Sequence, residues 1–145
     1  MVEIKNILCA VDFSEVSPKV ASYAQTLAKG LNANVHVIFV APSLEKSGTF
    51  YIPSPSIWDP VGGTVGNLKT IDTFIQEKFS NVNVQGKVLE GDVVDKILAF
   101  AHDKNIDLII IGTHGRSGVE KAIFGSVAEK VLKSSKTPVL TIRPD

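Results

Sequence analysis

Glycines stand at 112, 115 and 118, directly after the apolar run Leu108-Ile109-Ile110-Ile111. Without a Cβ, glycine lets the main chain close on a ligand, so successive N–H groups here can converge on phosphate oxygens. Gly125-Ser126 then opens a helical pattern. A helix N-terminus supplies unpaired N–H donors and partial positive charge, and Ser126 adds a hydroxyl. Arg116 and Lys121, between the two features, bring full charges. Taken singly, each feature reads as a tight turn or a plain cap. Taken together they describe two walls of an anion site, and the residues expected to meet it are those that follow the first apolar run, Asp12-Phe13-Ser14.

The elements that must position these residues follow from periodicity. Ile7 to Val11, Val35 to Val40 and Leu108 to Ile111 are apolar runs of the kind expected for strands buried on both faces. Val20, Ala24, Leu27 and Leu31 recur at helical spacing, as do Leu68, Ile71, Ile75 and Phe79, and then Val94, Ile97 and Ala101. Ser17-Pro18 reads as a helix start, Gly30 as a helix stop, and Asp92 as the cap of the helix after Glu90-Gly91. Val82 to Leu89 and Val139 to Ile142 complete the strands, and Ser126 to Lys133 the helices. The resulting β-α-β-α-β-α-β-α-β alternation predicts one doubly wound α/β domain over residues 1–145, a parallel sheet covered on both faces. Strand orders 2-1-3-4-5 and 3-2-1-4-5 both satisfy it. Each leaves a crevice at the C-terminal strand ends, and in the second order the crevice lies between strands one and four, with Asp12 facing the glycine-rich loop.

Composition narrows the function classes. Lys+Arg and Asp+Glu both number 15, so net charge draws the chain toward neither nucleic acid nor an anionic membrane. No apolar stretch approaches the ~20 residues of a membrane span, and nothing at the N-terminus marks export, so a cytoplasmic location is expected. The one cysteine, Cys9, lies in an apolar run and reads as a packing residue. His36, His102 and His114 fall on separate elements without paired ligand spacing, so no protein-held metal is expected. His36 reads as a strand residue and His102 as a residue on the solvated side of its helix. Neither GxxxxGK[ST] nor a GxGxxG after the first strand is present, which excludes the P-loop and the dinucleotide fingerprint. A phosphorylated receiver domain is excluded because strand one ends in a single Asp12, without an acidic pair, and no acceptor Asp ends strand three.

Gly112, Gly115, Gly125 and Ser126 form the pattern Gly-x2-Gly-x9-Gly-[Ser/Thr]. In this, and in the runs Asn6 to Ser14, Asp107 to Gly118 and Pro138 to Pro144, the chain resembles the ATP-binding branch of the universal stress protein family. The resemblance implies an adenine nucleotide alpha hydrolase-like fold with order 3-2-1-4-5. It also implies a homodimer through the fifth strand, Val139 to Ile142, whose uncharged edge invites pairing with another chain. Position by position it gives Asp12, with Val11 beside it, the ribose or adenine, and Val40 an adenine contact. It lays Gly112 against the ribose and sets Gly115, Gly125 and Ser126 around the phosphates, with the backbone of His114, Arg116 and Val127 close by. The implied ligand is ATP, with ADP and AMP as alternatives, and Mg²⁺ can arrive through the phosphates. The implied role is a nucleotide-responsive regulator in stress response. No residue set for activating water is evident, so a slow Mg-dependent ATPase using His114 or Asp12 is the alternative, beside a nucleotide-independent interaction module.

Pro42 to Gly63 resists assignment, with Pro42, Pro53, Pro55 and Pro60 interrupting regular structure. Phe50, Tyr51, Ile52, Ile57 and Trp58 are too many large apolar groups for a solvated loop, so packing on the domain is expected first, then on a partner subunit or over a ligand.

Overall fold

The computed structural model describes residues 1–41, 63–113 and 125–144, and for 63–68 the backbone alone. The elements alternate as β1 (Asn6–Val11), α1 (Ser17–Leu31), β2 (Asn34–Ala41), α2 (Gly63–Lys78), β3 (Val84–Glu90), α3 (Val93–Asp103), β4 (Leu108–Gly112), α4 (Ser126–Ser134) and β5 (Val139–Ile142). All pairs in the five-stranded sheet are parallel, in the order β3-β2-β1-β4-β5, which decides between the two orders the alternation allows.

Successive strand residues point to opposite faces, and here both faces are covered, so the central strands are apolar throughout. Ile7, Cys9 and Val11 join Val20, Ala24, Ile71 and Phe74 in the cluster under α1 and α2. Leu8 belongs instead with Ile38, Val40, Ile97, Phe100 and Val131 under α3 and α4. Each fully buried aliphatic side chain contributes about 1.5–3 kcal/mol. Edge strand β3 starts at Val84, two residues after the expected Val82, with the left-handed Asn81 (φ 59°) shortly before it. Val82 still packs on the core as a partly buried side chain.

Helix ends show where side-chain chemistry overrides the simplest reading. Asp92 caps α3 as expected, accepting from the Asp95 N–H at 3.0 Å. α1 does not stop at Gly30. It runs on to Leu31 and closes through Asn32, whose left-handed backbone (φ 55°, ψ 49°) turns its N–H onto the Ala28 carbonyl. At the other end the N-cap is Val16, with no side-chain cap bond, and Ser17 is already helical.

Cys9 is fully buried, and desolvation pushes its thiol from 9.0 up to about 12, consistent with a packing residue. His36 lies on β2, edge-on to Phe100 with ring centroids 5.6 Å apart; burial first, and then the charge of Lys104, lowers its pKa. His102 is exposed on α3, 3.3 Å from its neighbour Asp103. The expectations for the aromatic stretch at 42–62 and for the Leu68 side chain lie outside the described residues.

Candidate functional site

The sheet brings three of the sequence-selected segments to one edge. β1 and β4 are neighbours, with Ala10 opposite Ile111, so Val11 and Gly112 are the next pair in line, followed by Asp12 and Thr113. On the other side Val11 pairs with Phe39, which puts Val40 level with Asp12. α1 and α2 cover one face and α3 and α4 the other, so connections leave β1 and β4 toward opposite faces and a crevice opens between these two strand ends.

The head of α4 is fastened to that crevice. The Gly125 N–H donates to the Thr113 carbonyl, while the Thr113 N–H donates to Ile142 of β5 at 2.9 Å. Gly125 is the N-cap, with φ −40° and ψ 130°, and contributes no capping side chain; its carbonyl accepts from Glu129 N at 3.0 Å. First-turn amides have no acceptor within their own helix. Ser126 is exposed and Val127 half-buried, so the N-terminus of α4 presents donors and the positive end of its dipole beside the ends of β4 and β1.

The turn after β1 supplies the opposing carboxylate. Asp12 Oδ1 accepts the Ser14 N–H at 3.0 Å and the Ser17 hydroxyl at 3.3 Å. The Ser17 N–H in turn donates to the Ser14 carbonyl at 3.0 Å, closing the turn. This path requires Phe13 at φ 61°, a left-handed backbone that costs a bulky residue about 1–3 kcal/mol. Its ring offsets that cost by packing against Phe39 (centroids 4.9 Å apart) and edge-on to Phe74 (5.7 Å), pairs worth about 0.5–1.5 kcal/mol each.

Not every selected residue presents its side chain. Val11 and Val40 are buried in the clusters on opposite faces of the sheet, so what they offer the crevice is chiefly main chain. Gly112 has a packing reason for its identity, since a Cβ there would lie 2.6 Å from Val16 Cγ1. His114, Gly115, Arg116, Ser117, Gly118 and Lys121 lie outside the described residues. Sequence reasoning passed over Thr113 and gave Ser17 to a helix cap; both are buried polar residues at the crevice. A serine five residues after a strand-ending Asp was the available signal for the second.

A Gly-lined strand end, an uncapped helix N-terminus and a fixed carboxylate can together hold a ligand that carries an anionic group at one end and hydroxyl donors at the other. Among the described residues no group of three or more His, Cys, Asp or Glu is placed to hold a metal ion, and no helix is long and apolar enough to cross a membrane.

Known proteins fit this frame. The chain is 32% identical over 144 residues to universal stress protein MJ0531 of Methanocaldococcus jannaschii, a match covering 96% of this chain and 82% of that protein. Among solved structures, universal stress protein UspA from Lactobacillus plantarum superposes with a TM-score of 0.76 at 22% identity, covering 99% of this chain and 100% of that one. A universal stress protein in complex with cAMP (TM-score 0.66, 20% identity, 99% and 100% covered) and one from Archaeoglobus fulgidus in complex with dAMP (TM-score 0.66, 20% identity, 98% and 99% covered) share the fold. The family model for universal stress proteins matches residues 3–143, and the chain belongs to that family.

Proposed function

We propose that this chain is a one-domain, adenine-nucleotide-binding regulator of stress response, cytoplasmic and dimeric through β5, that takes ATP, or ADP or AMP, with Mg²⁺ entering on the phosphates. One observation carries the reading: the Gly125 N–H bond to the Thr113 carbonyl sets the uncapped N-terminus of α4 against the β1–β4 crevice, across from Asp12. Phosphates belong at the helix N-terminus and the glycines, where amides and dipole meet negative charge. The ribose belongs at Asp12, where a carboxylate accepts hydroxyl protons in charge-assisted bonds. Family members whose structures are described as complexes with cAMP and dAMP support the adenine nucleotide as ligand class.

The test begins with freshly purified protein, denatured and assayed by mass spectrometry for a released nucleotide, followed by calorimetric titration of ATP into stripped protein. Saturable binding with one site per chain, weakened by Gly115→Val, is the expected result. No released nucleotide and no heat at millimolar ATP would remove the reading.

A further inference from the structure

We propose that the groove between the α1–β2 and α2–β3 turns binds a neutral polyhydroxylated molecule, a sugar or cyclic polyol of single-ring size. The groove lies at the N-terminal ends of the strands, opposite the crevice, and stands independently of the nucleotide reading. Each turn leaves its helix through a left-handed asparagine, Asn32 at φ 55° and Asn81 at φ 59°, and reaches the next strand through a second one, Asn34 and Asn83. β2 and β3 are neighbours, so the two turns lie side by side. Between them is a cavity of about 260 Å³ lined by all four asparagines and Lys29. A left-handed backbone accounts for asparagine at 32 and 81. It does not account for 34 and 83, which are not among the positive-φ residues. The α3–β4 turn has the same form, with Asn105 at φ 53°, but there Asp107 spends its carboxylate on the N–H groups of Lys5 and Asn6, at 2.8 and 3.0 Å.

The amides of the groove keep bonding capacity to spare. Asn83 Nδ2 donates to Asn34 Oδ1 at 2.9 Å, and Asn34 Nδ2 donates to Asn6 Oδ1 at 3.3 Å. This chain orients the amide planes and leaves Asn83 Oδ1 as an acceptor and one proton on each Nδ2 as a donor. Among the described residues the amides of Asn32 and Asn81 enter no hydrogen bond and Lys29 enters no ion pair. No carboxylate lines the cavity. A cation would meet Lys29, and an anion would meet the amide oxygens and the carbonyl end of α1. A neutral hydroxyl both donates and accepts, as each amide does, so several hydroxyls on one ring satisfy the set. The cavity corresponds to about nine waters at ~30 Å³ each, room for one such ring.

Heteronuclear NMR on isotope-labelled protein observes asparagine side-chain amides directly, so it reads the groove itself. Inositol and glucose are expected to shift the side-chain amide signals of Asn32, Asn34, Asn81 and Asn83 saturably, with Kd about 1–10 mM. Inorganic phosphate is expected to leave them in place. The double variant Asn32→Gly with Asn81→Gly keeps the left-handed backbone and deletes two amides. Its polyol affinity is expected to fall about 5- to 20-fold, the scale of two hydrogen bonds, with a urea midpoint at or above that of wild type. Asn83→Ala, at an exposed position outside the left-handed residues, is expected to weaken the polyol as well and guards against a folding defect in the double variant. Undiminished binding in either variant, shifts that rise linearly without saturating, or a response to phosphate and not to the polyols would each overturn the inference. None of these outcomes touches the nucleotide reading, whose site is at the other end of the sheet.

Discussion

Val16 and Gly112 meet without room for a methyl group between them: a Cβ on residue 112 would sit 2.6 Å from Val16 Cγ1 and 3.4 Å from Cγ2. Val16 is buried and β-branched, so it has little rotamer freedom with which to retreat. Gly112→Ala is therefore expected to cost about 1–3 kcal/mol by overpacking, read as a lower urea midpoint. In the double variant with Val16→Ala the loss is expected to be smaller than the sum of the two single losses. Gly86 provides the contrast. A Cβ there meets Ile75 Cδ1 at 2.7 Å, but that atom is the tip of a flexible chain beside an edge strand, so Gly86→Ala is expected to stay within about 1 kcal/mol of wild type.

The αL residue that closes α1 gives a second stability test. An L side chain in that conformation costs about 1–2 kcal/mol, which Asn tolerates better than most residues and Gly avoids. Asn32→Ala is expected to lower stability by about 1 kcal/mol, and Asn32→Gly to match or slightly exceed wild type. Chemical denaturation of the three proteins at one pH decides it. Equal stability of the Ala and Gly variants would mean that the helix ends by some other means.

These two sites mark the boundary of what the sequence discloses. Buried strands were legible because runs such as Ile7 to Val11 must be apolar on both faces, and alternation with helical periods left only two strand orders. Polar termini were less legible. Asn32 and Gly30 both suit a helix stop, and only the register of the last turn selects Asn32. At the site, Asp12 and the Gly125-Ser126 helix start were visible as residue types at strand and helix ends. Ser17 was not legible as a carboxylate partner, because the bond depends on a left-handed Phe13. That conformation is held by Phe39 and Phe74 from other parts of the chain, which no local pattern encodes. Gly112 was visible as a residue without a Cβ, but its fit against Val16 appears only once α1 is packed on β4.

Cys9 makes stability depend on alkaline pH. Burial raises its thiol from the 9.0 of a solvated cysteine to about 12, so the folded state holds a proton that the unfolded chain releases. The associated stabilisation is complete below 9.0 and is lost as pH rises from there toward about 12. Cys9→Ala lacks this titration. Its stability deficit against wild type, the result of a small cavity, is expected to shrink between pH 8 and about pH 10.5 in urea unfolding. A deficit that stays constant across that range would show that the thiol does not ionise on unfolding. In the folded protein the same residue is expected to be inert to thiol reagents until unfolding exposes it.

The dimer can be tested with one substitution chosen from the hydrogen-bond pattern of β5. The carbonyls of Pro138 and Ile142 accept from Ile109 and Thr113, so the even-numbered residues of β5 turn their main-chain groups toward β4. In an extended strand the main-chain groups of alternate residues turn to opposite sides, which aims the N–H and C=O of Val139 and Thr141 at the open edge. Thr141 is half-buried and its N–H is not used by β4, so proline there removes a donor from the edge alone, one of the few places in a sheet where proline is tolerated. Thr141→Pro is expected to sediment as a monomer at micromolar concentration, where wild type sediments as a dimer, and to retain the far-UV circular dichroism of the fold. A Thr141→Pro protein that remains dimeric would move the interface away from β5. A wild type that is monomeric under the same conditions would remove it.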